Sequence, residues 1–153
     1  MSVEYSDADK YHNLRLNEQL NKTKIIFNEL GDKKTLDVGC GTGISSSVFS
    51  DVVGIDPNVE LLNKNPYDCF LGKAEDLPFD DNSFDNVISV TAIQNFDDIR
   101  LGLQEIKRVG KRFGLSTLKR SSKFKEINDL IHELFIVDKI IDEGIDVIFI
   151  CSK

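Results

Sequence analysis

The sequence predicts an α/β protein in which helices cover both faces of a mostly parallel, seven-stranded sheet that ends in an antiparallel hairpin. Two observations predict this three-layer sandwich. Short apolar segments alternate with helix-like segments between residues 34 and 134, and such alternation is typical of parallel strands joined by right-handed crossovers. Two strand-like segments then follow each other directly across Asp142-Glu143-Gly144, which indicates a hairpin.

The individual elements follow from local patterns in chain order. Leu16, Leu20, Phe27 and Leu30 share one helical face, and Gly31 is a suitable helix end. The predicted helices are residues 6–30, 45–50, 58–64, 97–109 and 122–134. The predicted strands are residues 34–38, 52–55, 69–71, 86–90, 112–118, 135–141 and 145–151.

Composition places the chain among single-domain globular proteins. Its 153 residues are 41% apolar and 29% charged, which gives room for one core. The apolar runs are too short for a membrane span, and the polar, acidic N-terminus does not resemble a secretory signal. Three scattered cysteines (Cys40, Cys69 and Cys151) favour reduced thiols in the cytoplasm over a disulfide framework or a metal site.

A glycine-rich turn follows the first predicted strand, in the segment Leu36-Asp37-Val38-Gly39-Cys40-Gly41-Thr42-Gly43-Ile44. Glycines let a backbone turn sharply and let a ligand lie against the main chain. Because a helix is predicted next, we expect the loop to open onto a helix N-terminus, which favours a negatively charged group. A tight strand–helix turn without a ligand is the alternative. The third glycine comes one residue early for a dinucleotide fingerprint, so a nicotinamide dehydrogenase is a distant alternative.

The spacing of Gly39, Gly41 and Gly43 resembles the first motif of the class I S-adenosylmethionine-dependent methyltransferases. The resemblance implies that the loop, with Asp37 beside it, binds the methionine end of S-adenosylmethionine, and that S-adenosylhomocysteine is the product. It also implies a single Rossmann-like methyltransferase domain over residues 1–153. In that domain residues 1–33 are a helical lid, 34–118 the cofactor-binding core and 119–153 a C-terminal helix and hairpin.

The second predicted strand ends at Asp56-Pro57, 13 residues after Gly43. An ionised carboxylate offers about four acceptor sites, enough for both hydroxyls of a ribose. The alternative is an acid that stabilises the start of the following helix, and the two roles are compatible. We favour the ribose role for Asp56 and place Pro57 in the same site.

Two further segments, Gly72–Phe79 and Asn82–Ser89, resemble the "A-E-x-L-P-F" and "S-F-D-x-V" stretches of the ubiquinone and menaquinone biosynthesis methyltransferases, the type 11 methyltransferase domain. The resemblance covers about half of the chain and implies that Ala74 and Glu75 lie at the adenine. Lys73 departs from it, because the family usually has Asp there and a cation cannot accept the adenine amino hydrogens. We expect Glu75 or a backbone carbonyl to accept them.

No general base is evident after Val90, which ends the fourth predicted strand at the site. In the resembling family this stretch often carries histidines that face the methyl group, whereas here Gln94 and Asn95 occupy those positions, and amides do not titrate. His12 in the predicted lid is a further catalytic candidate, while His132 is expected to lie at the surface or to pack. We therefore expect in-line methyl transfer by positioning.

Charge gives the only indication of the methyl acceptor. A net charge of −7 disfavours general nucleic-acid binding. Lys119 and Arg120 nevertheless follow the fifth strand on the predicted rim, where they would suit an anionic substrate, and a solvated charged surface is the alternative. The segments that could cover an acceptor are short, which indicates an open site.

Three functions stay open on the sequence. The first is a methyltransferase acting on a small metabolite. The second is a methyltransferase acting on RNA or protein, with a homodimer or an activating partner completing its site. The third is a catalytically silent subunit that binds S-adenosylmethionine and leaves its methyl group in place.

Overall fold

The computed structural model describes the backbone of residues 7–153 and the side chains of residues 13–153. The strands are β1 (Thr35–Val38), β2 (Val52–Asp56), β3 (Cys69–Leu71), β4 (Asn86–Val90), β5 (Arg112–Leu118), β6 (Ile136–Asp142) and β7 (Asp146–Ser152). The helices are α1 (Asp7–Leu30), α2 (Val59–Leu62), α3 (Ile99–Val109) and α4 (Phe124–Leu134). Two 3₁₀ turns lie at Ser46–Val48 and Ile93–Asn95.

All seven strands belong to one sheet in the order β3-β2-β1-β4-β5-β7-β6. Pairing is parallel from β3 through β5, and β7 pairs antiparallel with both β5 and β6. The sheet confirms the predicted fold class, including the antiparallel C-terminal hairpin. Strand order reverses between β1 and β4, and ligands of open α/β sheets bind at the carboxyl ends of the strands at such a point.

One face of the sheet is covered by α3 and α4. These helices bury Leu103, Ile106 and Ile131 against strand residues such as Leu36 and Phe113. Full burial of such side chains stabilises a fold by about 1.5–3 kcal/mol each. This layer is the larger of the two apolar cores and lies behind the strands that carry the loops of the site.

The opposite face is covered by the second half of α1. Ile26 and Leu30 pack there against Ile88 and Ile150. The helix lies close to the sheet, because a Cβ at Gly114 would fall 2.3 Å from Ile26 Cγ2. The first half of α1 extends past the carboxyl ends of the strands, and this position lets it cover the site described below.

The segment after the glycine loop corrects one prediction, since residues 45–50 form only the 3₁₀ turn Ser46–Val48 and no α-helix. The hydroxyls of Ser45 and Ser46 donate to Asp37 Oδ2 at 2.6 and 2.7 Å, which ties the turn to the sheet. Phe49 is extended and buried beside Phe27, with ring centroids 5.3 Å apart. β2 begins three residues later, so no length remains for an α-helical turn. The expected helix N-terminus and its attraction for a negative group are therefore absent at the loop.

Smaller differences concern element ends. α2 is a single turn rather than residues 58–64, and Asn58 caps it by accepting from Glu60 N and Leu61 N. The hairpin connection lies one residue later than predicted, at Glu143-Gly144-Ile145. Gly31 ends α1 as predicted, with a φ of +82° and its N–H donating to Phe27 O. No helix in residues 7–153 is long and apolar enough to cross a membrane.

Candidate functional site

A cavity of about 740 Å³ opens at the carboxyl ends of β1 and β4, at the reversal of strand order. The glycine loop forms one wall and residues 14–22 of α1 form the roof. The predicted residues that line it are Gly39, Gly41, Asp56, Pro57, Val90 and Asn95. The structure thus brings together the glycine loop, the acid after β2 and the end of β4 around one space.

The glycine loop approaches its surroundings closely. Gly39 and Gly41 have φ values of +81° and +52°, in the left-handed region that favours glycine. A Cβ at Gly39 would lie 2.5 Å from Ala92 Cβ, so the loop packs against the segment after β4. A Cβ at Gly41 meets nothing closer than Leu61 Cδ1 at 3.7 Å, which leaves the space beside Gly41 open. Gly43 does not line the cavity and packs against Asn65 and Tyr67.

Asp37 lies beneath this loop and is fully buried. Its Oδ2 accepts from Ser45 and Ser46, while its Oδ1 has no partner among the described residues. Burial raises the pKa of Asp37 to about 6, against the opposing effect of the two serine hydroxyls and with a smaller contribution from Asp56. Ser45 lines the cavity, so Asp37 reaches the site through the Ser45 hydroxyl.

Asp56 connects the loop to the segment after β2. Its Oδ2 accepts from Gly41 N at 3.0 Å, and its Oδ1 accepts from Asn58 N at 2.8 Å. The carboxylate thereby fixes the loop and the start of α2 while using two of its roughly four acceptor sites. Asp56 is 8% exposed and lines the cavity, so the remaining lone pairs are available to a ligand there.

A smaller cavity of about 190 Å³ continues from the first beyond Pro57. Ala74 and Glu75 line it, as do Lys73 and Asp97. Lys73 Nζ lies 2.8 Å from an oxygen of Asp97, and this ion pair raises the pKa of Lys73 and lowers that of Asp97. The cation that departs from the family pattern is therefore turned toward an acid, and two carboxylates border this space.

One end of the larger cavity contains a buried polar cluster that the sequence did not reveal. We call Lys22, Thr91 and Asp146 the buried triad. Lys22 is 3% exposed and Asp146 is 0% exposed. Lys22 Nζ donates to Asp146 Oδ1 at 3.1 Å and to Thr91 Oγ1 at 3.2 Å, and Thr91 Oγ1 donates to Asp146 Oδ2 at 2.5 Å. Lys22 and Thr91 line the cavity.

The sequence offered one signal for this triad, namely a lysine on the apolar half of a predicted helix. Lys22 lies between Leu20 and Ile26 of α1, where a lysine is buried only if it is paired. Thr91 and Asp146 carry no local signature, because the residues reach each other only through pairing of β4, β5 and β7.

The proposed catalytic amides have different surroundings. Gln94 does not line either cavity, and its amide donates to Thr91 O at 2.8 Å and lies 3.5 Å from Thr117 Oγ1. Asn95 is exposed and borders both cavities. The side chain of His12 lies outside the described residues. His132 is exposed on α4, where its ring contacts Phe149 edge-on, as expected for a packing residue.

Lys119 and Arg120 follow β5 and are exposed, but neither lines the cavity. Lys119 Nζ lies 2.8 Å from an oxygen of Asp142, so its charge is compensated. Cys40 is buried, and its Sγ would lie 2.5 Å from a Cβ at Gly54. Burial also raises the pKa of the Cys40 thiol well above its usual range, which fits a packing role under the turn.

The chain matches known proteins over this same region. The family described as "Methyltransferase domain" matches residues 36–118, which contain the glycine loop, Asp56 and the end of β4. An uncharacterized protein of Methanocaldococcus jannaschii is 34% identical over 121 residues, which are 73% of this chain and 48% of that protein. The demethylmenaquinone methyltransferase of Staphylococcus carnosus is 33% identical over 59% of this chain and 44% of its own length. The chain thus spans about half the length of the curated relatives it matches.

Solved structures share the whole fold. A Haloferax volcanii protein, solved in complex with the Trm112 methyltransferase activator, superposes with a TM-score of 0.76 at 16% identity over 99% of both chains. A methyltransferase from Aquifex aeolicus, described as dependent on S-adenosylmethionine, superposes with a TM-score of 0.74 at 17% identity, covering 96% of this chain and 98% of that one. At these identities the likeness shows the fold alone.

Proposed function

The chain belongs to the class I S-adenosylmethionine-dependent methyltransferases, and on that premise we propose that it transfers the methyl group to a small acceptor held under α1. The observation that carries the proposal is that one cavity is lined by the glycine loop, by Asp56 and by two members of the buried triad, Lys22 and Thr91. Its two ends differ in chemistry. One end suits a nucleoside with an amino-acid tail, and the other offers polar groups to a second molecule.

The residues present fit S-adenosylmethionine. Apart from its chain neighbours, no described residue has an atom closer than 3.7 Å to the Cβ position of Gly41, so a ligand can lie against the loop backbone there. Asp56 has acceptor sites left for the ribose hydroxyls, and Pro57 joins the two cavities. Glu75 and Asp97 border the smaller cavity and can accept the adenine amino hydrogens that Lys73 cannot. The assignment of Ala74, Glu75 and Asp97 to the adenine is part of this proposal.

The bound sulfonium supplies an activated methyl group and a neutral leaving group. The protein's contribution is then to orient and to exclude water, which is worth about 7–11 kcal/mol in favourable cases. Gln19 Nε2 donates to Val90 O at 3.2 Å and fixes the roof helix to the end of β4. Leu14, Leu118 and Ile145 supply apolar surface around the acceptor end.

The structural data favour a small acceptor over RNA. Lys119 of the predicted rim is paired with Asp142, and the nearby Lys123 donates from Nζ to Gln94 O, so both cations are already engaged. RNA affinity depends on unpaired cations along the surface.

We also propose that an activating partner protein binds this chain, because a structural neighbour over the full chain was solved with a methyltransferase activator. A partner would act on the same methyl transfer.

Binding at the loop is tested with Gly41→Val and calorimetric titration of S-adenosylhomocysteine. We expect affinity to fall more than a hundredfold, because the added side chain occupies space that the ligand needs. Gly31→Val is the matched control, since Gly31 also has a positive φ but has no neighbour within 4 Å of its Cβ position and does not line the cavity. Equal affinities of the two variants would refute the loop assignment.

Methyl transfer is tested by incubating the protein with methyl-labelled S-adenosylmethionine and fractionated cell extract. We expect label in a fraction that resists both ribonuclease and protease. Label that ribonuclease or protease releases would instead identify a macromolecular acceptor. Tight cofactor binding without transfer to any fraction would identify the catalytically silent subunit, and adding cell fractions together tests for an activating partner.

A further inference from the structure

We propose that Thr91 and Asp146 form a proton relay for the methyl acceptor, whose nucleophile is therefore a hydroxyl or an N–H group. The inference rests on the proposed function and adds the general base that the sequence did not reveal. Thr91 is the residue that touches the acceptor, Asp146 receives the proton, and Lys22 is a positioning residue.

A threonine hydroxyl can donate one hydrogen bond and accept two. Because an ionised carboxylate only accepts, Thr91 Oγ1 donates to Asp146 Oδ2, at 2.5 Å. Lys22 Nζ donates to Thr91 Oγ1 at 3.2 Å and occupies one lone pair of this hydroxyl oxygen. The contacts among the described residues thus leave the second lone pair of this hydroxyl for a donor in the cavity, which Thr91 lines.

The backbone holds Thr91 in an unusual conformation. Its φ is +54°, which is uncommon for a β-branched residue and costs free energy. Thr91 N donates to Ser116 O and Ser116 Oγ at 3.2 and 3.0 Å, and Thr91 O accepts from Gln94. These bonds fix the residue so that its hydroxyl reaches Asp146 while the residue borders the cavity. Such strain is concentrated at functional sites.

Charge in the cluster favours a base over an anion-binding site. Lys22 Nζ lies 3.1 Å from Asp146 and 4.0 Å from Glu143, so two carboxylates surround one ammonium group. Glu143 also accepts from Asp146 N at 2.8 Å. Since the positive charge is already compensated, an anionic acceptor gains little from Lys22. The excess carboxylate instead provides a group that can take up a proton.

The cluster also lies beside the cofactor end of the cavity. Gly39 packs against Ala92, the residue after Thr91, so closely that a Cβ at Gly39 would lie 2.5 Å from Ala92 Cβ. An acceptor that donates a hydrogen bond to Thr91 therefore sits next to the glycine loop. Leu14 and Gln19 of α1 border the same space and limit access of water.

The chemistry balances without any further reactant. The electron pair of the acceptor's oxygen or nitrogen forms the new bond to the methyl carbon, and the S–CH₃ bond breaks with its electron pair staying on sulfur. The acceptor's proton passes to Thr91 Oγ1 as the hydroxyl proton of Thr91 passes to Asp146 Oδ2. The products are the methylated acceptor, a neutral thioether and a protonated Asp146. General base catalysis of this kind contributes about 10²–10⁴-fold.

The decisive comparison is Thr91→Val against Thr91→Ser. Both variants fill the site, but only serine keeps the hydroxyl. We expect the rate of label transfer to the acceptor fraction to fall about a hundredfold or more in Thr91→Val and to stay within tenfold of the unmodified protein in Thr91→Ser. Binding of S-adenosylhomocysteine is expected to be unchanged in both. Equal transfer rates in the two variants would overturn the relay.

Two measurements examine the other steps. With S-adenosylmethionine carrying a ¹³C-methyl group, the carbon shift of the product shows which atom is methylated, and attachment to carbon or sulfur would overturn the proposal. With ¹³C-labelled aspartate, the carboxyl signal that Asp146→Asn removes is expected to be that of a carboxylate at neutral pH. A protonated Asp146 could not receive the proton and would overturn the relay without any assay of activity.

Failure of the relay and failure of the proposed function give different results. If the unmodified protein binds the cofactor but transfers no methyl group to any fraction, both ideas fall together. If it transfers methyl groups and Thr91→Val does so equally well, only the relay falls. Lys125→Met, which breaks an exposed pair with Asp129 on α4, is the control and is expected to leave the rate unchanged.

Discussion

The two ends of the cavity are built in different ways. The cofactor end consists of residues close in sequence, because the glycine loop follows β1, Asp56 ends β2 and Glu75 follows β3. The acceptor end is assembled from distant segments. Lys22 and Thr91 are 69 positions apart, Thr91 and Asp146 are 55 apart, and Lys22 and Asp146 are 124 apart.

The difference has a physical origin. Binding a nucleoside against a backbone requires glycines and an acid at fixed spacing, so the requirement appears as a motif. Binding an acceptor requires side chains that meet in space, and any element near the rim can supply them. The family match over residues 36–118 accordingly contains the glycine loop, Asp56 and Thr91, whereas Lys22 and Asp146 lie outside it. The variants below test whether the two ends also differ in what holds them together.

The largest effect is expected from Lys22→Met at the acceptor end. Removing the ammonium leaves the carboxylate of Asp146 buried and without its charge partner, and breaking a buried pair in this way costs about 3–5 kcal/mol. Urea unfolding measures the loss. The double variant Lys22→Met with Asp146→Asn removes both charges and is expected to recover more than half of the lost stability. A single-variant loss below about 1 kcal/mol would show that the pair contributes little.

The next effect concerns Asp37 at the cofactor end and depends on pH. Burial raises its pKa from 3.8 to about 6, so the folded state holds this proton more tightly than the unfolded chain does. The stability that the group contributes is therefore present below about pH 3.8 and is lost as the pH rises through about 6. A shift of this size corresponds to about 3 kcal/mol.

Asp37→Asn removes the titrating carboxyl group. The test therefore compares how the free energy of unfolding of the variant and of the unmodified protein changes with pH. We expect the unmodified protein to lose stability relative to Asp37→Asn between pH 4.5 and pH 7.5, as measured by urea unfolding. Glu105 and Asp142 are paired carboxylates with lowered pKa values, so their contribution to stability increases as the pH rises. Both proteins contain them, so this contribution cancels when the two pH profiles are subtracted. Parallel profiles would contradict the raised pKa of Asp37.

The same contrast explains how far the sequence could predict the molecule. The mostly parallel sheet and the hairpin were predicted from the succession of apolar and helix-like segments, and the end of α1 was predicted from Gly31, because these are local signals. The prediction of a helix after the glycine loop was wrong because tertiary contacts determine the structure of that segment. Ser45 and Ser46 bond to the buried Asp37, and Phe49 leaves the turn to pack with Phe27. No local propensity reveals either contact.

The residues of the acceptor end could not be predicted for the same reason, because they meet only through tertiary contacts. Thr91 directly follows β4. The resemblance to the family had instead indicated catalytic groups a few residues later, at Gln94 and Asn95. The structure places Gln94 against the backbone of Thr91 as a support for its conformation. Asp146 begins β7. The sequence pattern there predicts a hairpin and gives no sign of a functional residue. Only the antiparallel pairing of Leu118 with Asp146 brings this carboxylate to the rim.

The smallest effect separates binding from folding at Asp56. Its carboxylate accepts two backbone N–H groups, from Gly41 and Asn58, and offers its other lone pairs to the ribose. Asp56→Ala is therefore expected to weaken S-adenosylhomocysteine binding by about 1.5–3 kcal/mol, the range for hydrogen bonds to charged groups. Asp56→Asn keeps one acceptor oxygen and is expected to lie between the alanine variant and the unmodified protein. Calorimetric titration measures both. If Asp56→Ala lowered the unfolding midpoint but left affinity unchanged, Asp56 would only stabilise the loop. The cofactor end would then depend on backbone contacts alone, in contrast to the side-chain chemistry of the acceptor end.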